Sequence, residues 1–292
     1  MGVDSMKGGS MQKAAMLGFV FLVGGLFLVS CNKVDPEADA LAIQGIVDRD
    51  SVWFEGSTTV DSTGTGGLDS DTAVIWWRGA QTHDDPVVDI QVNGDSAWVE
   101  WSRHNYGDFY ILANLPTDSL VLWTKNVVET AKLRGVFTRN GRVSDDDRGW
   151  ALQKVSLAYG QSDSANTVRI DSLRIESATA GDILVVDPLS TYYGLENLTW
   201  FTPGESVTLT LYTNVEEGEA FLHTFVLLWP FYVRVKFDNA GAGVYTGTWN
   251  AQLLPFPRFA IFDFVTRSTI YTPDMPYDFT GWMFPYTIRT AD

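Results

Sequence analysis

The chain has 292 residues, a formal net charge of −16 at pH 7, a single cysteine, and 11 Trp, 11 Tyr and 17 Phe. The many aromatic residues exclude a disordered chain, and the negative charge disfavours nucleic acid and anionic lipid headgroups as partners. A lone cysteine forms no intramolecular disulfide, so the folded body depends on its core, and the length suffices for one large or two ordinary domains.

Residues 1–30 predict a secretory signal peptide. Lys7 and Lys13 give a positive start, and the uncharged apolar run 14–29 ends at a small serine just before Cys31. This order of charged, apolar and small residues is typical of a cleaved signal. The run is shorter than the roughly 20 residues that a membrane-spanning helix needs. A retained span is the alternative.

The cleavage region Leu28-Val29-Ser30-Cys31 resembles the lipobox of bacterial lipoproteins. The resemblance implies cleavage before Cys31, a diacylglycerol on its thiol and usually an acyl chain on the new N-terminus; two or three chains hold a protein firmly to a bilayer. Residues 31–35 then form a lipidated tether. No cofactor is predicted besides this covalent lipid. A buried, inert cysteine is the alternative.

The same resemblance predicts the location. A lipid-anchored chain lies in the cell envelope, facing the periplasm or the exterior. Asn32 occupies the position that influences lipoprotein sorting, and the inner-membrane retention residue Asp is not found there. This favours the outer membrane, if the source has one.

The predicted fold class is mainly β, opening with one helix. Asp35 can cap the helix and Pro36 suits its first position. Helical spacing places four apolar side chains on one face, namely Ile43, Ile46, Val47 and Phe54. A Gly/Ser/Thr/Asp stretch at 56–72 is predicted to be a loop.

From residue 73 the apolar period changes to two, which predicts strands. An Asn93-Gly94 turn is predicted to close a hairpin. A polar stretch at 160–166 is the predicted boundary between domains 36–160 and 167–292. The second domain contains no helix-period segment of useful length. The predicted strands lie near 73–79, 87–92, 97–101, 107–115, 127–139, 149–160, 205–213, 232–237, 243–252, 258–265 and 284–289.

The first half resembles the nuclear transport factor 2-like cone fold. The similar features are the opening helix with its end Val52-Trp53-Phe54, the hairpin, the long strand 127–139 and the strand 149–156. The resemblance implies an α+β cone-like domain, a helix plus a curved antiparallel sheet. The glycine-rich stretch 56–72 departs from it, because further helix is expected there. A plain mixed α+β domain is the alternative.

The second half resembles bacterial immunoglobulin-like β-sandwiches. The similarity rests on the stretch AGVYTGTW at 242–249. The Cys…Trp…Cys spacing of antibody-type domains is absent. Trp282, Phe284 and Tyr286 would mark a carbohydrate or partner surface if they are exposed, and core packing is the favoured alternative.

Cone-fold proteins are often enzymes with an acid/base residue inside the pocket. The polar candidates on predicted strands are Glu100, His104 and Arg134. An acid/base residue of this kind needs to be buried beside apolar side chains, which displace its pKa. Strand alternation places Glu100 on the face opposite Val99 and Trp101, so the buried face decides its role. His104 also fits a polar residue at a strand end.

Two acidic stretches offer oxygens to Ca²⁺: Asp145, Asp146 and Asp147, and the segment 69–71. Neither matches the twelve-residue calcium loop, and a solvated turn is the favoured alternative. The three histidines lack the spacing of a zinc site. No nucleophile elbow, phosphate loop or dinucleotide motif occurs.

The predicted function is therefore that of a membrane-anchored envelope lipoprotein, acting as a binding or structural module. Its predicted partners are the membrane, through the lipid, and a protein or small molecule, with nucleic acid excluded. The alternative is a small-molecule enzyme or carrier that uses a pocket in the N-terminal cone-like domain. An open pocket with an inward carboxylate or histidine favours the alternative, whereas an interior filled with Trp and Phe disfavours it.

Overall fold

A computed structural model describes residues 35–54, 58, 68–69, 72–115, 119–225, 232–252 and 258–290. The predicted signal peptide, Cys31 and the tether up to residue 34 lie outside these residues, as does most of the predicted loop 56–72. Within the described ranges, no helix is both long enough and apolar enough to cross a membrane.

The predicted opening helix is confirmed, although it is broken in two. Helix α1 spans Pro36–Arg49 and α2 spans Ser51–Phe54, while a later helix, α3, spans Arg267–Tyr271. The Asp35 carboxylate accepts a hydrogen bond from the Ala38 amide at 3.2 Å, which satisfies one of the unpaired amides at the start of α1.

The described residues form two β-sheets. The main sheet is a curled, 14-stranded sheet with the order β1-β2-β5-β6-β8-β19-β18-β14-β15, and five further strands flank this path. The second sheet has five strands in the order β10-β9-β13-β17-β16. The strands are β1 Leu68–Asp69, β2 Thr72–Arg78, β3 Thr82–His83, β4 Val87–Asn93, β5 Ser96–Leu115, β6 Ser119–Arg139, β7 Trp150–Ser156, β8 Ala158–Ser162, β9 Ile170–Ser177, β10 Gly181–Val185, β11 Tyr192–Gly194, β12 Thr199–Phe201, β13 Ser206–Thr213, β14 Gly218–Phe225, β15 Tyr232–Lys236, β16 Asp238–Gly241, β17 Val244–Asn250, β18 Arg258–Thr266 and β19 Phe279–Ile288.

The centre of the main sheet is the long hairpin β5–β6, paired from Ser96–Thr138 to Leu115–Ser119. The sequence predicts a break near residue 104, but the strand is continuous. Alternation persists through the polar stretch, with Asn105 taking an inward position at 2% exposure. The turn before β5 consists of Gly94 and Asp95, one residue later than predicted. Gly94 has the positive φ of +61° that the first position of such a turn requires.

The concave face of the main sheet, here called the inner face, is filled by α1, α2 and large side chains. Two hydrophobic clusters share it, and both draw on strands from early and late in the chain. Their larger members are Ile43, Val47, Phe54, Trp76, Trp101, Phe109, Leu133, Phe137, Phe221, Ile261, Tyr277, Phe279 and Met283.

The five-stranded sheet packs against the opposite face of β14, β18 and β19, so these strands are covered on both sides. Trp282, Phe284 and Tyr286 lie in this second core and are at most 1% exposed. They therefore pack the interior, and a surface role for them is excluded.

The main sheet is continuous across the predicted domain boundary at 160–166. Strand β8 pairs with β6 on one side and with β19 on the other, and Gly160 is in register with both Ala131 and Gly281. That residues 36–160 and 167–292 are two domains, each able to fold by itself, stays a prediction.

Candidate functional site

The convex face of β4–β7, here called the outer face, carries two of the predicted site residues. Val99 and Trp101 are buried at 1% and 2% exposure, so alternation turns Glu100 outward. The strand register aligns Asp89, Glu100 and Arg134 in one row across β4, β5 and β6. Two interstrand spacings make this row about 10 Å long.

Arg134 and Glu100 form the ion pair at the centre of the row. Arg134 donates from Nε at 3.0 Å and from Nη2 at 2.9 Å to Glu100 Oε2. The Arg134 amide donates to Ser156 Oγ at 2.8 Å, which links the row to β7. The side chains of Arg134 and Glu100 are 38% and 45% exposed, so both can contact a solute.

Trp98 lies beside this pair on the outer face, two residues before Glu100. Its register neighbours are Gln91 on β4 and Val136 on β6. Its exposure is 45%, and in the described part of the chain only Tyr106 is a comparably exposed aromatic residue, at 36%. Tyr106 donates to the Asp84 carboxylate at 2.7 Å and stands apart from the row.

Tyr192 of β11 lines the site, and the turn before β11 brings Asp187 near Arg134. Asp187 accepts hydrogen bonds from the Ser190 hydroxyl at 2.6 Å and from the Leu189 amide at 3.0 Å; these contacts, Ser190 foremost, hold the pKa of Asp187 below its usual range. The turn leads into Tyr192, which pairs with Ser156. Burial raises the pKa of Tyr192, and the Arg134 cation opposes that rise.

These elements enclose an open depression of about 270 Å³ on the outer face, here called the outer depression. It combines one exposed indole, one phenol, carboxylates and a guanidinium. The lining residues are Asp89, Gln91, Trp98, Val99, Glu100, Arg134 and Tyr192. The sequence had indicated Glu100 and Arg134, whereas Trp98 and Tyr192 are added by the fold.

His104, the third acid/base candidate, lies on the same face but outside the outer depression. Four residues along β5 separate it from Glu100, which is about 13 Å. Its Nδ1 lies 3.1 Å from Asp163 Oδ2 and 3.2 Å from Thr130 Oγ1, and its side chain is half exposed. The structure does not bring His104 together with Glu100 and Arg134.

The acidic stretch at 145–147 leads into a short 3-10 helix at Asp146–Gly149, and two of its carboxylates contact protein groups. Asp145 accepts from the Arg142 amide at 2.7 Å, and Asp147 pairs with Arg49 of α1 at 2.5 Å. Among the residues that the structure describes, no group of three or more His, Cys, Asp or Glu side chains could hold a metal ion. In the other acidic stretch, Asp69 belongs to β1, and residues 70–71 lie outside the described ranges.

A cluster of buried polar and charged side chains lies on the inner face of the main sheet, and the sequence did not predict it. Arg78 Nη1 lies 2.6 Å from Asp263 Oδ2, and Arg78 Nε donates to Tyr277 Oη at 2.8 Å. Tyr277 in turn donates to Glu129 at 2.8 Å, and His223 Nε2 lies 3.0 Å from Asp263. All five side chains are at most 1% exposed. We call these residues the inner cluster.

Burial and charged neighbours shift the pKa values of the inner cluster and of Arg234 beside it. Burial alone would raise the pKa of Asp263, but His223 and the neighbouring arginines hold it well below its usual range. Burial lowers the pKa of His223, and the neighbouring Asp263 carboxylate opposes that shift. Burial also lowers the pKa of Arg234 to about 10, which leaves that guanidinium charged.

Around the inner cluster the charges are balanced. Trp76 Nε1 donates to Glu219 at 3.0 Å, and the same carboxylate pairs with Lys236 at 3.1 Å. The Arg234 guanidinium lies 4.2 Å from the centre of the Trp76 ring. A buried, paired network surrounded by aromatic side chains holds elements in position, and its burial prevents a solute from touching Asp263 or His223 in this conformation.

Comparisons of this chain with protein families, with curated protein sequences and with solved structures give no match. The assignment of a site therefore rests on the chain's own geometry. By that criterion the outer depression can receive a ligand from solution.

Proposed function

We propose that this chain is a lipid-anchored protein of the cell envelope, in the outer membrane where the cell has one, and that it binds a ligand in the outer depression. One observation supports the binding role above the others: Trp98 is 45% exposed beside the half-exposed Glu100–Arg134 pair. An exposed indole next to oriented polar groups is the usual composition of a recognition site.

The position of α1 is consistent with a membrane-proximal site. Asp39 near the start of α1 pairs with Arg139 and Arg148, which places that helix end at the β6 end of the long hairpin. Arg134 lies five residues back along β6, or about 17 Å. The tether 32–35 spans at most about 14 Å. A lipid on Cys31 would thus hold the outer depression within roughly 30 Å of the bilayer surface.

The alternative function, an enzyme or carrier with an interior pocket, has less support. Its candidate groups Glu100, His104 and Arg134 all lie on the outer face. The interior positions hold Trp76, Trp101 and Phe109 at no more than 2% exposure. The inner cluster is at most 1% exposed. The depression of about 450 Å³ beside it, lined by Glu219 and Lys236 among others, contains none of the three candidate groups.

We also propose a finer description of the fold. The curled sheet with α1 on its concave face is consistent with a nuclear transport factor 2-like cone. The five-stranded sheet facing β14, β18 and β19 is consistent with an immunoglobulin-like sandwich. In this description the outer depression lies on the cone, and strands β14, β18 and β19 belong to both the cone and the sandwich.

The anchor is tested by Cys31→Ser in the full-length chain. We expect the variant to move from the membrane fraction to the soluble fraction, because its thiol no longer receives a lipid. Cys31→Ala is the matched second variant. Retention of either variant on membranes after a high-salt wash would refute the lipid anchor.

The binding role is tested by ligand-observed NMR with a library of neutral, cationic and anionic small molecules. We compare the wild type with the double variant Glu100→Ala/Arg134→Ala. The matched control is Arg169→Ala/Asp171→Ala, an exposed ion pair at 2.6 Å outside the outer depression. Ligands that bind the wild type and the control variant, but not Glu100→Ala/Arg134→Ala, support the proposal. If the library contains no such ligand, the proposal is overturned.

A further inference from the structure

We infer that the ligand of the outer depression is a neutral carbohydrate whose ring stacks on Trp98 while its hydroxyls bond to the Asp89–Glu100–Arg134 row. The inference rests on the proposed binding function and specifies its ligand class.

The charges of the outer depression disfavour an ionic ligand. Arg134 is already matched by Glu100 at 2.9 Å, so an anion would compete with that carboxylate and meet Asp89 and Asp187 nearby. A cation bound at Glu100 would meet the Arg134 guanidinium, whereas a cation at Asp89 would lie about 10 Å from it. A neutral ligand meets neither repulsion and leaves the ion pair intact.

The polar groups suit hydroxyls, which both donate and accept hydrogen bonds. The row offers carboxylate acceptors from Asp89 and Glu100, and the Arg134 guanidinium supplies N–H donors. The Gln91 amide donates to Asp89 at 3.3 Å and adds an acceptor oxygen. Vicinal hydroxyls of a sugar, spaced along one ring edge, can bridge such a row.

The Trp98 indole supplies the remaining surface. A pyranose ring has a C–H face that is apolar and hydroxyls at its edge, so it matches a flat aromatic ring bordered by polar groups. Because Trp98 is held between Gln91 and Val136 in a regular sheet, its stacking surface is preorganised.

The size of the depression is also consistent with a small sugar. Its volume of about 270 Å³ lies just under the range typical for drug-sized ligands, and it is open on one side. This space suits one or two sugar rings, with a longer chain extending into solvent.

The test uses the full mature chain and a panel of four disaccharides: cellobiose, maltose, lactose and chitobiose. Saturation-transfer NMR detects binding, and isothermal titration gives the affinity. We expect at least one disaccharide to bind, with transfer strongest at ring C–H protons. Trp98→Ala should weaken that affinity at least tenfold, because the stacking surface is lost. Glu100→Gln should weaken it severalfold.

The matched control is Trp77→Ala, which removes another outward-facing indole, stacked on Tyr110 and outside the depression. It should leave the affinity unchanged. Choline chloride and sodium phosphate serve as cationic and anionic probes. If choline or phosphate binds in a Trp98-dependent manner and no disaccharide does, the carbohydrate assignment is wrong and the binding function stands. If nothing binds, or if Trp98→Ala changes nothing, both are wrong.

Discussion

Two arginine–carboxylate pairs lie on opposite faces of the main sheet and differ mainly in their exposure. Arg78 and Asp263 are 2.6 Å apart and at most 1% exposed, whereas Arg134 and Glu100 are 2.9 Å apart and about 40% exposed. Similar contacts therefore have different consequences. The buried pair would leave an unmatched charge in the core if either partner were lost, while water would replace the lost partner of the exposed pair.

The difference indicates how the molecule divides its polar groups. Arg78 also donates to Tyr277, and Asp263 lies beside His223, so these groups are surrounded by protein atoms and have almost no contact with solvent. Arg134 and Glu100 retain surface for a ligand. Polar residues that hold the fold together are thus on the inner face, and those available for recognition are on the outer face.

The largest expected effect comes from breaking the buried pair. We expect Arg78→Met to lower the free energy of unfolding by about 3–5 kcal/mol, because the buried Asp263 carboxylate loses the guanidinium that pairs with it at 2.6 Å. Thermal unfolding should show a fall in Tm of about 10 °C. The double variant Arg78→Met/Asp263→Asn should cost less than the sum of the single variants, since both charges leave together. Full additivity would contradict the coupling.

A second buried carboxylate, Asp39, tests whether the loss of a buried polar contact also destabilises the fold at α1. Asp39 is fully buried and accepts hydrogen bonds from Arg148 at 2.7 Å, Trp150 at 3.2 Å and Arg139. Burial would raise the pKa of Asp39, but these contacts lower it on balance. Asp39→Asn should destabilise the fold by about 2–3 kcal/mol, measured by urea unfolding. A change below 0.5 kcal/mol, the usual limit at the surface, would show that α1 is not held by this residue.

A partly exposed carboxylate should give an intermediate, pH-dependent effect. Burial would raise the pKa of Glu205, but hydrogen bonds from Ser177 at 2.5 Å and the Thr179 amide at 2.9 Å, among others, lower it to about 2. Because the folded pKa is below the unfolded one, the stabilisation is present above about pH 4.5 and is lost as pH falls toward 2.

We therefore expect Glu205→Gln to cost about 1–2 kcal/mol at pH 7, a value reduced for solvent screening. The difference from the wild type should shrink between pH 4.5 and 2. Urea unfolding at pH 7, 4 and 3 measures it. A difference that is constant across these pH values would exclude the carboxylate as its cause.

The smallest effect is expected for the exposed pair. Arg134→Met should change the free energy of unfolding by less than about 1 kcal/mol, because Glu100 regains water. The same thermal unfolding assay that reports on Arg78 gives the direct comparison. A loss of 3 kcal/mol or more would show that the outer pair supports the fold and would remove the contrast between the two faces.

The sequence predicts the local features of this molecule well. Asp35 and Pro36 mark the start of α1, and the alternation around Val99 and Trp101 predicts that Glu100 faces away from them. These features depend on residues close together in the chain, where propensity and periodicity are informative. Only the fold shows which face of the sheet is buried. Glu100, His104 and Arg134, considered as candidates for an interior pocket, lie on the outer face.

The sequence could not predict the long-range features. Asp263 and Arg78 are 185 residues apart, and Tyr192 reaches the outer depression only because β11 pairs with β7. A partial signal existed: Asp263 interrupts the apolar run 259–265, and His223 directly follows the apolar residues 220–222. A polar residue inside or beside such a run often is buried and paired. The partner of each residue depends on the order of the strands in the sheet. The periodicity of a single sequence does not reveal that order.

Strand β19 has a consequence for how the chain reaches its folded state. It is the last described strand, yet it pairs with β8, β12 and β18 near the middle of the main sheet. The sheet therefore cannot close until residues 279–288 have been synthesised, and its contacts are mostly between distant parts of the chain. Until then β8 and β18 lack the neighbour that joins them, so the two parts of the main sheet become one only when nearly the whole chain has been made.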